Sequence, residues 1–286
     1  MTSSATAAPN RARNIALIIA GTVIVLATYL YLVIAQPTEL QTSSTAPAGL
    51  IAMAGYLVGA VLIAAGSIHR LSTTTIAMIP VAIALNIVVG QLVAVIGLPV
   101  YLDSMGTVLV SALAGPAAGV VTGILTNVIW GLILNPVFLP FAVVQVVIGM
   151  MAGYAARVGV FRKPWLPPIA GAITGIVAAM ISAPISAFIF GGATGGGTGA
   201  LVGMFRAMGQ SRLGATTLQG LLSDPLDKLI SFTVVYLVLS ALPARFKQRF
   251  PFVRQYQVFG KAPAAKAWSC ACRPRCTLSA RRRCTG

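Results

Sequence analysis

The sequence predicts an all-α membrane protein, a polytopic helix bundle that crosses the bilayer several times. Hydrophobic residues make up 57% of the 286 residues and charged residues only 8%, whereas soluble domains carry roughly 25% charged residues. Apolar windows of about 20 residues, long enough to cross the hydrocarbon core, recur along the chain. Four acidic residues in total leave little scope for a large soluble catalytic domain. These observations place the chain in the cell membrane as a multi-pass protein.

The net charge of +16 could by itself indicate a nucleic-acid-binding protein. Its distribution argues against that class, because eleven of the twenty Lys and Arg residues lie at or after Arg245, beyond the last apolar segment. Basic flanks of this kind are typical of membrane proteins, where they set the topology and contact anionic lipids. We therefore expect the lipid bilayer, and not nucleic acid, as a partner.

Two transmembrane helices are predicted within residues 14–66. A short polar N-terminus, residues 1–13, precedes an apolar run over 14–35 that is longer than the core of a signal peptide. We therefore interpret this run as an uncleaved first helix. After a polar loop, a second span is predicted over about 49–66.

A core of six further spans is predicted within residues 74–244. It begins with a span over 74–96. If 104–134 formed one helix, it would measure about 46 Å, too long for a hydrocarbon core of roughly 30 Å. Gly115-Pro116 is a turn signal, so we predict a short helix and a second one after this turn. The last five predicted helices cover 104–114, 116–134, 137–156, 165–190 and 226–242.

The distribution of charge supports this division. With the N-terminus in the cytoplasm, eight spans place the short basic segments and residues 245–286, a basic tail expected to be disordered, on the cytoplasmic side. The cytoplasmic basic segments contain Arg11, Arg13, His69, Arg70, Arg157, Arg162 and Lys163. The loops that contain the acidic residues Glu39, Asp103 and Asp224 then lie outside. Both termini are therefore predicted to be cytoplasmic.

All four cysteines lie in the last 17 residues, in a Cys-x-Cys-x3-Cys-x7-Cys pattern. The pattern lacks the paired two-residue spacing of common zinc sites, so we interpret it as part of the Arg-rich tail. A glycine-rich run opens a long outer segment, 191–225, with a possible interfacial helix over 200–222. Loops of this length are often lids. The run has no Gly-Lys-Ser/Thr and is not a phosphate loop, and we expect no metal and no cofactor.

Polar side chains within or beside the apolar segments are the candidate ligand site. Such groups are expensive at membrane depth, and their convergence at one outer pocket would suit a small molecule. We expect this substrate site to contain Asp103, Asn127, Trp130, Asn135, Gln145 and Asp224. The alternatives are helix capping for the two aspartates, an interfacial position for Trp130, and helix–helix hydrogen bonds for Asn127 and Gln145.

Small or short polar residues recur at four-residue spacing in the predicted span 74–96, at Ala82, Asn86, Gly90 and Ala94. Faces of this type permit close helix packing in lipid. The pattern fits either packing within the bundle or docking to another membrane subunit.

The core contains three segments that together carry a family resemblance: 86–93 (NIVVGQLV), 98–107 (LPVYLDSMGT) and 115–127 (GPAAGVVTGILTN). They resemble the substrate-binding S components of energy-coupling factor (ECF) transporters, which are ABC-type importers. The resemblance covers about residues 74–244 and implies a six-helix S-component-like core, so the two N-terminal helices are extra. It further implies capture of a vitamin or related micronutrient at an outer pocket, roofed by 98–103, 134–137 and 191–225.

The same resemblance implies partner proteins. Two ABC ATPases and a transmembrane coupling subunit would supply the energy, and the S component would topple in the membrane to deliver its cargo. Family members contact the coupling subunit through an Ala-x-x-x-Ala face on their first core helix. The best match in this chain is Ala82, Asn86 and Gly90, with Asn in place of one Ala.

Two other functions compete with transport. The chain could be a ligand-sensing membrane module that signals to a partner, although no output domain follows Leu242. It could also be an intramembrane metal-dependent enzyme, since Asp224 and Asp227 are three residues apart and could share a helix face and bind a divalent metal. No His and no third carboxylate lies beside them in the sequence. We therefore assign no catalytic residues and expect a transport subunit, with ATP hydrolysis by its partners.

Overall fold

The computed structural model describes residues 7–35, 47–68, 71–192 and 196–260, and within these ranges the regular structure is helical. This confirms the predicted all-α class. The predictions that concern Glu39, His69, Arg70 and the four cysteines fall outside the described residues. The helices, in chain order, are α1 (Ala7–Ala35), α2 (Pro47–Ile68), α3 (Thr73–Ile96), α4 (Met105–Ala114), α5 (Pro116–Ile133), α6 (Ala142–Arg157), α7 (Leu166–Pro184), α8 (Gly196–Ala207), α9 (Arg212–Ala241), α10 (Ala244–Lys247) and α11 (Pro251–Tyr256).

Within the part of the chain that the structure describes, four helical segments are long and apolar enough to cross a membrane by length and composition. They are Ala12–Tyr31, Thr73–Ile96, Pro116–Ile133 and Leu166–Ile189, the last of which continues α7 through a π-helical turn, Ile185–Ile189. These segments are consistent with the predicted membrane-embedded helical protein. Of the eight predicted spans, four are therefore clear. Three shorter apolar helices are Ala54–Ser67, Met105–Ala114 and Ala142–Arg157.

The division of the long apolar stretch at Gly115-Pro116 is confirmed. Helix α4 ends at Ala114, and α5 begins with Pro116 at its first position, where the missing proline N–H costs no hydrogen bond. Gly115 between them has φ +91°, a conformation that side chains with a Cβ rarely adopt. The turn lets two helices replace one that would be too long for the bilayer.

Close helix contacts in the core are made at glycines. On α6, Gly149 lies against the backbone of Gly119 on α5. On α7, Gly171 and Gly175 lie against the α9 backbone, and a Cβ at Gly175 would collide with the carbonyl of Asp224. The absence of side chains at these points lets the backbones approach, which brings the polar residues of α9 into the bundle.

The N-terminal hairpin of α1 and α2 packs in the same way and joins the core. Gly21 of α1 lies against Gly59 of α2. The hydroxyl of Tyr29 donates a hydrogen bond to the carbonyl of Ile181 at 3.3 Å, and α2 contacts α5. The two extra helices are therefore attached to the side of the bundle.

The predicted boundary between a long outer segment and a last span at 226 is wrong. Helix α9 is continuous from Arg212 to Ala241 and passes through Pro225. Its N-cap, Ser211, accepts a hydrogen bond from the backbone N–H of Gly214 at 3.0 Å, which fixes the start of the helix. Proline removes one backbone hydrogen bond from the helix interior, and close packing of Gly175 on Pro225 holds the helix there.

The prediction that residues 245–286 are disordered is wrong for the part up to 260. Helices α10 and α11 fold back on the bundle, where Phe250 and Val258 are completely buried and Phe252 covers Gly115. The guanidinium of Arg162 donates a hydrogen bond to the carbonyl of Tyr256 at 3.0 Å. Aromatic and aliphatic residues that alternate with the basic ones supply this buried surface.

Candidate functional site

A cavity of about 590 Å³, including its open mouth, lies between the loop that follows α3 and helices α5, α6, α7 and α9. This volume therefore includes solvent space at the mouth. Tyr101, Phe138 and Phe141 contribute aromatic surface. The polar side chains that line it are Asp103, Asn127, Gln145, Ser182, Ser186, Gln219, Asp224 and Lys228. Apolar walls with a few converging polar groups are what an orienting ligand site requires.

Four of the six predicted site residues line this cavity: Asp103, Asn127, Gln145 and Asp224. They come from the loop before α4, from α5, from α6 and from α9, so the fold brings together residues that are far apart in sequence. The other two predicted residues, Trp130 and Asn135, have different positions.

Trp130 lies behind the cavity wall. Its ring is 1% exposed and stacks on Phe138 with the ring centroids 3.9 Å apart and the planes 20° apart. It also abuts Gly90 of α3, where an added Cβ would collide with it, and it borders a second, adjoining cavity. Trp130 is therefore not an interfacial belt residue but a buried support for Phe138.

Asn135 is exposed at the end of α5 and does not line the cavity. Its side-chain oxygen accepts a hydrogen bond from the backbone N–H of Val137 at 3.0 Å and caps the short 3-10 helix Pro136–Phe138. The predicted ligand contact is therefore replaced by a local role, because a capping Asn supports the turn that presents Phe138.

A buried ion cluster forms the wall between the α3–α4 loop and α9. The ammonium of Lys228 contacts Asp103 Oδ1 at 3.1 Å and also binds Asp227 Oδ2. The other oxygen of Asp227 accepts a hydrogen bond from the backbone N–H of Leu102 at 2.7 Å. Asp103 is therefore a partner of Lys228 rather than a helix cap. The cluster fixes the loop against α9.

Asp224 lies one helical turn before Lys228 and faces the cavity. It is in the interior of α9, so the expectation that it begins a helix is wrong. It is 5% exposed, and the hydroxyl of Ser182 lies 3.2 Å from its Oδ2 and can donate a hydrogen bond to it. The described residues contain no cluster of three or more His, Cys, Asp or Glu side chains placed to hold a metal ion.

A buried hydrogen-bond network connects α3 to the cavity. The amide of Asn86 donates to Thr107 Oγ1 at 2.9 Å and to Thr126 Oγ1 at 3.1 Å, and its oxygen accepts from the N–H of Gly106 at 2.6 Å. Thr107 in turn donates to Gln145 Oε1 at 3.2 Å. The network therefore holds a cavity residue in a fixed orientation.

The predicted docking face on α3 points into the protein. Ala82 and Asn86 are buried, at 2% and 0% exposure, and the carbonyl of Ala82 lies against Gly106 of α4. Gly90 lies against Trp130. The spacing of small residues therefore reflects packing on α4 and α5 of the same chain, and these three residues do not present a surface to a partner.

Several cavity residues were missed by reasoning from the sequence: Tyr101, Phe138, Phe141, Ser182, Gln219 and Lys228. A signal existed for Lys228, since it is the only basic residue between Arg212 and Arg245 and lies in a largely apolar stretch. An ionisable residue in such a position marks a functional or paired group. The aromatic residues carried no comparable signal, because aromatic residues are common in any apolar core.

No family model matches the chain, and comparisons with curated proteins and with solved structures found no significant match. Its function is therefore inferred from the residues and geometry of the cavity together with the sequence motifs.

Proposed function

We propose that this chain is the substrate-capture membrane subunit of an ECF-type ABC importer. It binds a vitamin or related micronutrient in the cavity and delivers it inward with a transmembrane coupling subunit and two ABC ATPases. The observation that carries this proposal is a cavity inside an apolar helix bundle, lined by aromatic rings and by polar side chains. A bundle that served only as an anchor would not need such a cavity.

The position of the sequence motifs supports the proposal. The segment 98–107 forms part of the cavity rim through Tyr101 and Asp103. The segment 115–127 begins at the α4–α5 turn and ends at Asn127 in the cavity wall. Two of the three segments that carry the S-component resemblance thus border one site, as a substrate-binding role requires.

The distribution of charge supports an outward-facing cavity. Arg162 packs on the α11 end of the bundle, the end where Phe252 covers Gly115. The cavity lies beside Asp103, at the opposite end of α4. By the positive-inside rule the basic end is cytoplasmic. In this topology the eight predicted spans place both termini inside and open the cavity to the outside of the cell membrane.

Ligand binding by the purified full-length protein is the direct test. We expect saturable, one-to-one binding of one member of a vitamin panel in detergent, and ATP-dependent uptake only when coupling and ATPase subunits are co-expressed. The variant Val137→Trp, at the half-buried cavity wall, should abolish binding by filling the cavity. Ile133→Trp, at an exposed position outside the wall, is the matched control and should bind normally. Absence of saturable binding, with no small molecule released on denaturation, would disprove the proposal.

A further inference from the structure

Acidic side chains outnumber basic ones at the cavity. Those of Asp103, Asp224 and Asp227 surround one ammonium, that of Lys228. Lys228 contacts Asp103 and Asp227 directly, whereas Asp224 is within hydrogen-bond distance of the neutral hydroxyl of Ser182. Lys228 is also the one basic side chain among the described residues that line the cavity. Among the described residues, Asp224 is therefore the acidic side chain of this group that has no salt bridge.

Two buried polar atoms at the cavity have no partner among the described residues. They are Asn127 Oδ1, an acceptor, and Gln219 Nε2, a donor. Both residues line the cavity and are almost completely buried, at 1% and 3% exposure. Unpaired buried polar atoms are costly, so these two indicate the positions at which a bound molecule completes the hydrogen bonding.

The aromatic part of the cavity lining is held in place. Phe138 is backed by the stacked ring of Trp130, and Phe141 is stacked on Phe190 with centroids 6.0 Å apart. Aromatic faces bind flat rings by stacking and bind cations through the negative potential of the ring face. Both properties complement a carboxyl group in the same lining.

From these three observations we propose that the ligand is an organic cation with a flat, nitrogen-containing ring. Its positively charged nitrogen is bound by Asp224, its ring lies against the aromatic wall, and its polar edge pairs with Asn127 and Gln219. This inference rests on the proposed function and narrows its substrate class. Carboxylate-bearing compounds are disfavoured, because Lys228 is already paired and an anion would face Asp224.

The test compares ring compounds of different charge on full-length protein in detergent. The probes are 1-methylnicotinamide, nicotinamide and nicotinate, which share one ring and are cationic, neutral and anionic, with thiamine, riboflavin and biotin as larger members of the same three classes. Binding is measured by calorimetry and by thermal shift. We expect at least tenfold tighter binding of the cation than of its neutral partner in one of the two sets.

Two variants test whether the charge of the cavity side chains, rather than the fold of the protein, determines ligand binding. Asp224→Asn keeps the shape and removes the charge, and should weaken cation binding about tenfold or more while changing neutral probes less than threefold. Gln219→Glu adds a carboxylate at an amide whose N–H group has no partner, and should strengthen cation binding. Gln248→Glu makes the same change at an exposed residue outside the cavity and should leave binding unchanged.

The outcomes distinguish this inference from the proposed function. Tightest binding of a neutral or anionic probe, or cation binding that Asp224→Asn leaves intact, would overturn the cation inference and leave capture of a small molecule standing. If no probe binds, the molecule released by denaturation of the purified protein is identified by mass spectrometry, and its charge decides. No bound probe and no released molecule would overturn both.

Discussion

At the scale of single residues, Lys228 connects the parts of the site. Its ammonium joins Asp103, from the loop after α3, to Asp227 on its own helix, and it is 4% exposed. A buried cation in this position keeps two carboxylates from lying unpaired. We interpret it as a positioning residue that shapes the cavity and leaves Asp224 available for the ligand.

Lys228→Met should destabilise the protein strongly. The methionine side chain is of similar length, but Asp103 and the fully buried Asp227 lose their cation. Removal of one partner from a buried ion pair lowers the free energy of unfolding by about 3–5 kcal/mol. The measurement is thermal unfolding in detergent against the wild-type protein. A double variant, Asp227→Asn with Lys228→Met, removes one stranded charge and should recover part of the loss. An unfolding temperature unchanged in Lys228→Met would show that the ion cluster does not support the fold.

The sequence was sufficient to find Asp103, Asn127, Gln145 and Asp224, because polar groups in apolar segments need partners or ligands. It was not sufficient to find the pairing of Lys228 with Asp103. These two residues are 125 positions apart, and the contact exists only once α9 packs beside the α3–α4 loop. Short-range spacing rules contain no information about such a contact.

At the scale of elements, the contact between α3 and α4 depends on the absence of a side chain at Gly106. A Cβ at this position would collide with the backbone carbonyl of Ala82, and backbone cannot yield as a flexible side chain does. The same two helices are joined by the hydrogen bond from Gly106 N to Asn86 Oδ1. The position of α4 thereby fixes the start of the cavity wall.

Gly106→Ala should therefore push α4 away from α3 and lower stability by about 1–3 kcal/mol, with weaker ligand binding as a consequence. Gly203→Ala in α8 is the matched control. A Cβ there meets no atom within 4 Å, and alanine favours helix, so its stability should be equal or higher. Both are measured by thermal unfolding in detergent. Equal stability of the two variants would contradict the packing described for α3 and α4.

Element boundaries were predictable where the local chemistry was unambiguous. Gly115-Pro116 gives one turn, since glycine adopts positive φ and proline begins a helix. Pro225 led to a wrong predicted boundary, because proline usually marks the start of a helix. In the structure it lies inside α9, which is held at this point by packing on Gly175. Helices α10 and α11 were missed because their apolar residues are mixed with basic ones and become a core only against the bundle.

At the scale of the whole molecule, the basic end and the cavity lie at opposite ends of the bundle. The turn between α8 and α9 lies at the cavity end, where Gly197 of α8 packs on the backbone of Gly97 and Leu98. Helix α10 lies at the other end, beyond the end of α9. The proposed topology therefore assigns these two regions to different sides of the membrane.

Cysteine labelling can test this topology. With the four native cysteines replaced by serine, Gln210→Cys in the α8–α9 turn should react with a membrane-impermeant maleimide in intact cells. Gln248→Cys, just after α10, should react only after permeabilisation. Both glutamines are exposed, which makes the pair a matched comparison. Labelling of Gln248→Cys in intact cells, with Gln210→Cys protected, would invert the topology and place the cavity inside.

The charges on α9 also have a consequence for membrane insertion during synthesis. Asp224, Asp227 and Lys228 lie within one helical turn or so of each other, and insertion scales assign roughly 2.5–3.5 kcal/mol to each such group at a helix centre. As a separate segment leaving the translocon, α9 would therefore partition poorly into lipid. Asp103, its ionic partner, is synthesised earlier and is already in place. In the proposed topology, α9 thus inserts into the bilayer by packing on the helices that were inserted before it. The ion cluster that shapes the site therefore also sets the order of assembly.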